Sequence, residues 1–235
     1  MNRDLKIIDF HSHILPGVDH GSDGIKTSID QVALMNSAGV DTAVLTPHFY
    51  PNLNRVSAFT SDVTAAAEEL ISRCKIRPRF CIGAEVLYCD GIENMEKLDK
   101  LCIRGTNVLL LELPLSNEWN RSMIYAIKRM SAKYTIVLAH IDRYIAIHDQ
   151  ELRALMSNDN VFGQINAVSL FHAKTRRALL PYIESDRVCA IGSDLHKRNK
   201  KDCRRFAKAK KKLGADSYSR IMTLSSELLG KAAFY

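Results

Sequence analysis

Histidines and carboxylates end or follow the apolar runs of this sequence, at spacings that suit metal coordination. His11 and His13 stand two apart at the end of one run, and Asp194 and His196 repeat that spacing at the end of the last run. Side chains two apart in a strand point to the same side, so each pair can present both ligands to one point. The candidate ligands are His11, His13, His48, Glu85, Glu112, His140, Asp194 and His196. Together they indicate a metal site.

Two of these ligands are carboxylates inside apolar runs. Glu85 in CIGAEVL and Glu112 in LLLELPL would be costly to bury unless a cation neutralised their charge. Mixed imidazole and carboxylate ligation suits Mn²⁺, Fe²⁺ or Zn²⁺, and the set is too large for one ion. We therefore expect two or three divalent ions, with Glu85 as the carboxylate that bridges them.

A centre of this kind predicts a phosphomonoester hydrolase. Several ions can generate a bridging hydroxide at neutral pH and stabilise the entering and leaving oxygens of a phosphoester. The chain has no Cys-x5-Arg loop, no Gly-x-Ser-x-Gly elbow and no Walker lysine, so no side-chain nucleophile is indicated. Arg143 in HIDR can bind phosphate oxygens, and Arg198 and Lys201 in the basic stretch after His196 are further candidates.

The scaffold must bring these residues together from most of the chain. Seven apolar runs are typical of buried parallel strands: 5–13, 42–49, 79–87, 107–115, 135–143, 161–170 and 188–196. Helical stretches are clearest at Asp23 to Ala38, Ser57 to Cys74 and Arg121 to Lys133, and a helix after Leu213 is expected to pack outside the strands. This alternation predicts an α/β fold, a distorted (β/α)7 barrel whose strands all end on one face.

Length and composition limit the class of protein. With 235 residues, 46% of them hydrophobic, the chain is expected to form a single domain over 1–235. It has no secretory signal and no apolar stretch of roughly 20 residues, which predicts a cytoplasmic protein without a membrane span. The six cysteines form no C-x-x-C pair and are expected to be reduced. Much of the formal net charge of +7 lies in 197–212, interpreted as a solvated helix face or a surface for an acidic or phosphorylated partner, with nucleic acid disfavoured.

In this order and spacing, the motifs DFHSHILPGVD, TPHFYP, GAEV, LLLELPL, LAHIDR and SDLH resemble the PHP (polymerase and histidinol phosphatase) superfamily. The resemblance runs from about Lys6 to Leu229 and is closest to the CpsB/CapC-type manganese-dependent bacterial protein-tyrosine phosphatases. It implies a PHP-type barrel, a manganese centre and dephosphorylation of phosphotyrosine. The expected partner is a bacterial tyrosine kinase that controls capsule or exopolysaccharide synthesis.

The resemblance also implies roles for individual residues. One ion would be bound by His11, His13, Glu85 and Asp194, a second by Glu85, Glu112 and His140, and a third by His48 and His196. Catalytic roles would belong to His48, Arg143 and Asp194, and Arg143 would hold the substrate phosphate.

Two positions depart from the family pattern. His20 stands where the family has the second aspartate of D-D-G, so an imidazole would replace a carboxylate as a metal ligand. Lys201 stands near a position where the family has a phosphate-binding arginine, with Arg198 close by. Lysine keeps the charge but loses the planar fork of arginine, so phosphate binding would be weaker or would depend on Arg198.

Three other functions compete with the phosphotyrosine phosphatase. A small-molecule phosphatase such as histidinol-phosphate phosphatase would use the same metal chemistry. A metal-binding regulatory protein with weakened catalysis is suggested only by His20. Nucleic-acid processing is permitted only by the basic stretch. The sequence does not determine the oligomeric state.

Overall fold

The computed structural model describes residues 6–115 and 119–235, in which parallel strands alternate with helices. The strands are β1 (Ile8–Ser12), β2 (Thr42–Leu45), β3 (His48–Phe49), β4 (Arg79–Ile82), β5 (Glu85–Leu87), β6 (Val108–Glu112), β7 (Thr135–Leu138), β8 (Val161–Asn166) and β9 (Val188–Gly192). The helices are α1 (Ile25–Ser37), α2 (Val56–Arg73), α3 (Arg121–Met130), α4 (Asp149–Met156), α5 (Ala173–Glu184), α6 (Lys200–Ala207), α7 (Ala209–Leu213) and α8 (Ala215–Leu228). Every predicted apolar run contains a strand.

Two of the predicted runs are each divided into two strands. The run 42–49 breaks at Pro47, which has no N–H to donate to a neighbouring strand, and the run 79–87 breaks at Gly83. β1, β2 and β4 consequently form one sheet, and the second sheet has the order β3-β5-β6-β7-β8-β9. A backbone hydrogen bond of 2.9 Å from Gly83 N to Leu45 O lies at the break. The two sheets therefore follow on from one another.

The first and last strands also meet. Asp194 N donates to His11 O at 2.9 Å, and His13 N donates to Leu195 O at 3.2 Å. All strand pairs within the two sheets are parallel. The seven runs thus form a strand ring whose carboxyl ends lie on one side, and the predicted α/β class is confirmed. The ring brings the ligands of the first run next to those of the last.

The core explains why these runs are continuously apolar. In β6, Val108, Leu109, Leu110 and Leu111 are at most 2% exposed, as expected for a strand covered on both faces. On the outside, α8 packs along β9, where Ser225 Oγ donates to Cys189 O at 2.7 Å. The predicted helix after Leu213 is therefore present and lies outside the strands.

The three clearest predicted helices are present with shifted ends. α1 stops before Gly39, whose φ of +76° suits glycine after a helix. α3 ends at Met130, earlier than predicted, and the next residues form a turn. The basic stretch 197–212 forms the two short helices α6 and α7. Within 6–115 and 119–235, no helix is long and apolar enough to cross a membrane. The single domain over 1–235 stays a prediction.

Candidate metal centre

The candidate ligands lie together where the strand ring opens. β1 carries His11 and is followed by His13, β3 begins at His48, β5 begins at Glu85, β6 ends at Glu112, His140 follows β7, and Asp194 and His196 follow β9. His11, His13, Glu85 and His140 are at most 1% exposed. The other four are partly exposed. The site therefore has a buried inner part and a more open outer part.

Glu85 lies at the centre of the inner part. Its carboxylate oxygens are 2.8 Å from His140 Nε2, 2.9 Å from His48 Nδ1, and 3.2 Å from both His11 Nε2 and His13 Nε2. Three strands, β1, β3 and β7, deliver these four imidazoles, so one carboxylate from β5 joins four parts of the ring. A carboxylate with this many nitrogen neighbours has the geometry expected of a shared ligand.

Ligand atoms converge in three groups, each with all of its atoms within 4.8 Å of one another. The groups are His11, His13 and Glu85; His48, Glu85 and Glu112; and His13, His48 and His196. The first group contains three of the residues predicted for one ion. The others place His48 beside both Glu112 and His196, and His140 Nε2 is 3.5 Å from Glu112 Oε1.

The electrostatics of the inner site favour positive charge. Burial alone would raise the pKa of the Glu85 carboxyl, but the neighbouring histidines outweigh it and hold this pKa well below its usual range. Burial likewise disfavours charged His13, yet hydrogen bonds with Asp19 and Glu85 raise its pKa to about 10. The pKa of His140 is raised to about 9 by Glu112 and Glu85 against the effect of burial. Protons and metal ions would compete for this position.

Several buried polar atoms in the site form no well-aligned hydrogen bond with the described residues, although Glu85 Oε2 and His48 Nδ1 lie 2.9 Å apart. The atoms without such a bond are Glu85 Oε2, His48 Nδ1 and His196 Nε2. Burial, together with the nearby His13, lowers the pKa of His196 to about 4, so its imidazole is neutral near pH 7. Buried polar atoms are normally paired, and unpaired ones at one place indicate a missing cation or water.

The orientations of His11 and His13 also fit a metal ion. Their Nδ1 atoms face oxygen acceptors, Gln164 Oε1 at 3.1 Å and Asp19 Oδ2 at 2.7 Å. When both rings donate from Nδ1, the Nε2 lone pairs point at each other across 2.9 Å. Two lone pairs directed at one place repel unless a proton or a metal cation lies between them. The residues of the site therefore fit a divalent metal.

Asp19 positions the outer part of the site, a role that was not predicted from the sequence. Its Oδ2 accepts from His13 Nδ1 at 2.7 Å and from His48 N at 3.0 Å, and its Oδ1 accepts from Gly21 N at 2.8 Å. Burial would raise the pKa of Asp19, but its contacts with His13 lower it below the usual value. A carboxylate behind a metal-ligating imidazole fixes the tautomer and the ring orientation.

β8 supplies no candidate ligand but supplies two amides that position them. Gln164 Oε1 accepts from His140 N at 2.7 Å and lies 3.1 Å from His11 Nδ1. Gln164 Nε2 donates to Asn166 Oδ1 at 2.9 Å, and Asn166 Nδ2 donates to Asp194 Oδ2 at 2.8 Å. The signal in the sequence was a pair of amides two apart in an apolar run. One strand thus aligns ligands from three others.

The role of Gln164 leads to a prediction for Gln164→Leu. Leucine removes the acceptor of the His11 ring and of the His140 N–H in a position that is fully buried. We expect Mn²⁺ to bind about 10- to 100-fold more weakly, the usual cost of losing an outer partner of a metal ligand. Isothermal titration calorimetry measures the affinity. Gln164→Glu keeps the acceptor oxygens and is expected to recover part of it.

The matched control is Gln150→Leu, at an exposed position of α4. It should bind Mn²⁺ as the unaltered chain does. Equal affinity in Gln164→Leu and the control, with both variants folded by circular dichroism, would show that Gln164 does not position the ligands.

His20 lies beside the outer ligands and is exposed. Its ring centroid is 4.8 Å from that of His48 and 4.7 Å from that of His196, with the rings stacked. None of the three ligand groups among the described residues includes it. Its ring also stacks on that of His13, with 6.5 Å between the centroids, and the role of His20 as a ligand stays a prediction.

Arg143 lies at the mouth of the site, and its role in binding substrate stays a prediction. Its guanidinium donates to Asp194 Oδ2, lies 3.2 Å from His140 Nε2 and reaches 3.9 Å from Glu112 Oε1. The side chain is 38% exposed, so the guanidinium can contact both the ligands and solvent. This position allows an anion to be bound next to the candidate metal ligands.

The two other basic candidates lie further out. Arg198 forms an ion pair with Asp30 of α1, with 2.6 Å between Arg198 Nε and Asp30 Oδ2. Lys201 is exposed in the first turn of α6. Arg198 is therefore directed to α1 in this structure, and phosphate binding by either residue stays a prediction.

A ring of parallel strands with imidazoles and carboxylates converging at its carboxyl ends defines this chain as an α/β protein with a candidate metal centre. A protein-family model described as "Capsular polysaccharide synthesis, CpsB/CapC" matches residues 7–229. The chain belongs to the CpsB/CapC family, and the resemblance found in its motifs is confirmed.

Curated relatives cover most of the chain at low identity. The tyrosine-protein phosphatase CpsB of Streptococcus pneumoniae is 26% identical over 206 residues, which are 81% of this chain and 83% of the relative. The tyrosine-protein phosphatase YwqE of Bacillus subtilis (strain 168) is 24% identical over 200 residues, which are 81% of this chain and 77% of the relative.

Solved structures share the fold. A structure from work on YwqE from Bacillus subtilis and CpsB from Streptococcus pneumoniae, described as unique metal-dependent tyrosine phosphatases, has a TM-score of 0.79 at 21% identity, over 97% of this chain and 96% of that one. Histidinol phosphate phosphatase from Lactococcus lactis, solved with zinc, L-histidinol and phosphate, has a TM-score of 0.59 at 15% identity, over 90% and 95%. At these identities the likeness establishes the fold.

Proposed function

We propose that this protein is a metal-dependent phosphatase that hydrolyses phosphotyrosine in proteins. The observation that carries the proposal is the Glu85 carboxylate among four imidazoles, with the Arg143 guanidinium beside it. Buried ligands for cations next to an exposed anion-binding group are what hydrolysis of a phosphomonoester requires. The names of the curated relatives support phosphotyrosine as the substrate.

The ligand groups support a centre of two or three ions, with Mn²⁺ as the proposed metal. His11, His13, Glu85 and Asp194 would hold one ion, Glu85, Glu112 and His140 a second, and His48 and His196, with His20 beside them, a third. Imidazole and carboxylate donors in one site suit Mn²⁺, and also Fe²⁺ or Zn²⁺. Bound ions of this type lower the pKa of water and neutralise phosphate oxygens.

The residues around this centre would orient the substrate. Arg143 can bind two non-bridging phosphate oxygens through its planar fork. Asp194 Oδ2 accepts hydrogen bonds from Arg143 and Asn166. These contacts hold Asp194 Oδ1 toward His11 and His13. Lys201 would add a second positive charge at the outer edge. In this assignment Arg143, Asp194 and His48 act directly on the reacting groups or their ions.

The partner proposed for this activity is a phosphorylated bacterial tyrosine kinase that controls capsule or exopolysaccharide synthesis. Membership of the CpsB/CapC family, whose description names capsular polysaccharide synthesis, supports this setting. A cytoplasmic location would follow from a kinase substrate phosphorylated in that compartment. The kinase partner and the location bear on which substrate reaches the site, and the chemistry of the site is the same for any phosphotyrosine protein.

Chelation followed by metal addition tests the proposed function. Protein stripped with a chelator is expected to lose hydrolysis of a phosphotyrosine peptide, and added Mn²⁺ should restore it, because the ligands have no role without an ion. Metal content is measured by mass spectrometry and phosphate release by a colorimetric assay. Histidinol phosphate, assayed in parallel, is expected to be hydrolysed much more slowly.

The comparison separates the competing functions. Faster hydrolysis of histidinol phosphate than of the peptide would replace the proposal by a small-molecule phosphatase. Protein that binds Mn²⁺ and releases no phosphate from either compound, or from p-nitrophenyl phosphate, would be a metal-binding regulatory protein. Full activity after complete removal of metal would exclude the proposed centre.

A further inference from the structure

The positive charge of the chain is concentrated in one stretch beside the site. Residues 197–212 contain ten lysines and arginines and one carboxylate, Asp202. The net positive charge of this stretch is larger than the formal net charge of the whole chain, which is +7. The rest of the chain is therefore net negative. Such a distribution creates a positive field at this stretch that is stronger than an even spread of the net charge would give.

The helices α6 and α7 turn most of this charge to solvent. Their buried side consists of Cys203, Phe206 and Ala209, each at most 4% exposed. The basic surface, as we call it, comprises six exposed cations: Lys200, Lys201, Arg204, Lys208, Lys210 and Lys211. The structure records no ion pair for these six residues, although all of them lie within its described part. Unpaired cations at this density repel one another unless an anion lies among them.

The helix α6, which carries three of the six cations, borders the mouth of the candidate metal centre. α6 starts shortly after His196, and Asp202 of α6 lines a cleft of about 390 Å³ together with Arg143 and Asp194. A polypeptide with its phosphate at Arg143 can leave the site along this cleft and reach α6. The flanking residues of a bound protein substrate would then lie against the basic surface.

We propose that the basic surface binds an acidic segment of the substrate protein, next to the phosphorylated tyrosine. This inference rests on the proposed function, and it names the substrate class as phosphotyrosine flanked by aspartate, glutamate or further phosphate groups. Complementary charge of this kind steers association and selects among partners. Its energy is strongly screened by salt, because the cations are exposed.

The composition of the surface favours an acidic peptide over other polyanions. Phe206 of α6 is buried, and the half-buried Phe171 ring nearby has Arg205 and Lys212 over it, so neither ring is free to stack with nucleic-acid bases. Its apolar side chains pack inward, so α6 and α7 have no free apolar face to insert into a lipid bilayer. Exposed lysines beside a phosphate-binding site match carboxylates and phosphates carried by the same chain.

The test compares two phosphotyrosine peptides, one with acidic and one with serine and glycine flanks. For the full chain loaded with Mn²⁺, kcat/KM is expected to be about tenfold higher for the acidic peptide at low salt. Raising NaCl from about 50 mM to about 500 mM should remove this preference. Reversal of charge in Lys208→Glu, Lys210→Glu and Lys211→Glu together should bring the ratio of kcat/KM values close to one. Turnover of p-nitrophenyl phosphate should not change.

The matched control reverses three exposed lysines outside α6 and α7, as Lys75→Glu, Lys133→Glu and Lys231→Glu. It has the same net charge as the first triple variant and should keep the preference for the acidic peptide. Equal kcat/KM for both peptides in the unaltered chain, or a preference that survives in the Lys208, Lys210 and Lys211 variant, would overturn the proposal. Loss of the preference in both triple variants would also overturn it, since net charge alone would then explain the effect.

Binding measurements keep this test separate from the proposed function. Fluorescence anisotropy with the labelled acidic peptide reports docking even if no phosphate is released. Affinity that falls about tenfold in the Lys208, Lys210 and Lys211 variant, and not in the control, supports the surface without any catalysis. Affinity for the peptide no higher than that for duplex DNA or phosphatidylserine vesicles would assign the surface to those polyanions and overturn the proposal.

Discussion

Glu85→Gln is expected to abolish phosphatase activity while the chain stays folded. Glutamine has nearly the shape of glutamate, so the buried position is filled, but the negative charge beside His11, His13 and His140 is lost. Without it, these imidazoles keep only the more distant carboxylates of Asp194 and Glu112, and the inner ions should bind far more weakly. We expect turnover to fall by about 10³-fold or more, the order of effect seen when a central electrostatic group is removed.

Three measurements check this result. Metal content after dialysis should fall, kcat/KM for a phosphotyrosine peptide should fall with it, and the circular dichroism spectrum should not change. The control is Glu68→Gln on the exposed side of α2, which removes the same charge away from the site. Activity retained by Glu85→Gln would mean that this carboxylate bridges no catalytic ion, and it would remove the basis of the proposed centre.

Gly21→Ala is expected to damage the site through shape alone. A Cβ at this position would lie 2.2 Å from His13 Cβ and 2.4 Å from His13 O, and neither atom belongs to the flexible end of a side chain. The backbone must move, and Gly21 O also accepts from Lys197 N, next to His196. We expect the free energy of unfolding to fall by about 1–3 kcal/mol. Displacement of His13 should lower turnover by about 100-fold, as misplacement of a catalytic group commonly does.

Gly24→Ala is the control, because a Cβ there meets no atom within 4 Å. It lies in the same loop and should change neither the unfolding free energy in urea nor the affinity for Mn²⁺. If Gly21→Ala were as stable and active as Gly24→Ala, the close approach of Gly21 to His13 would have no role in shaping the site.

Much of the fold and of the candidate site could be predicted because both follow from local patterns. The apolar runs are long enough to identify strands, and parallel strands place all their carboxyl ends on one side. Residues as distant as His11 and Asp194 could therefore be expected in one place, and Asp194 N indeed donates to His11 O at 2.9 Å. Here topology, rather than sequence proximity, determines which side chains meet.

Other features depend on three-dimensional contacts that no local pattern reveals. The run 79–87 has the sequence of one continuous strand, but it breaks at Gly83. The break occurs because β4 and β5 pair with strands of different sheets, which the sequence of the run does not show. Gln164 is an ordinary polar residue until its contacts with His11 and His140 are seen. Arg198 and Asp30 are far apart in the chain, so their ion pair could not be predicted from the sequence. The sequence therefore indicated only phosphate binding for Arg198.

The meeting of β1 with the segment after β9 has a consequence for how this protein matures. While the ribosome has released only the chain through β8, β1 lacks one of its two neighbours. That neighbour is the segment after β9, in which Asp194 and Leu195 form hydrogen bonds with the first run. Asp194 and His196 are then still missing from the nascent polypeptide. The full set of candidate ligands can therefore assemble only after the segment that follows β9 has been made and has paired with β1.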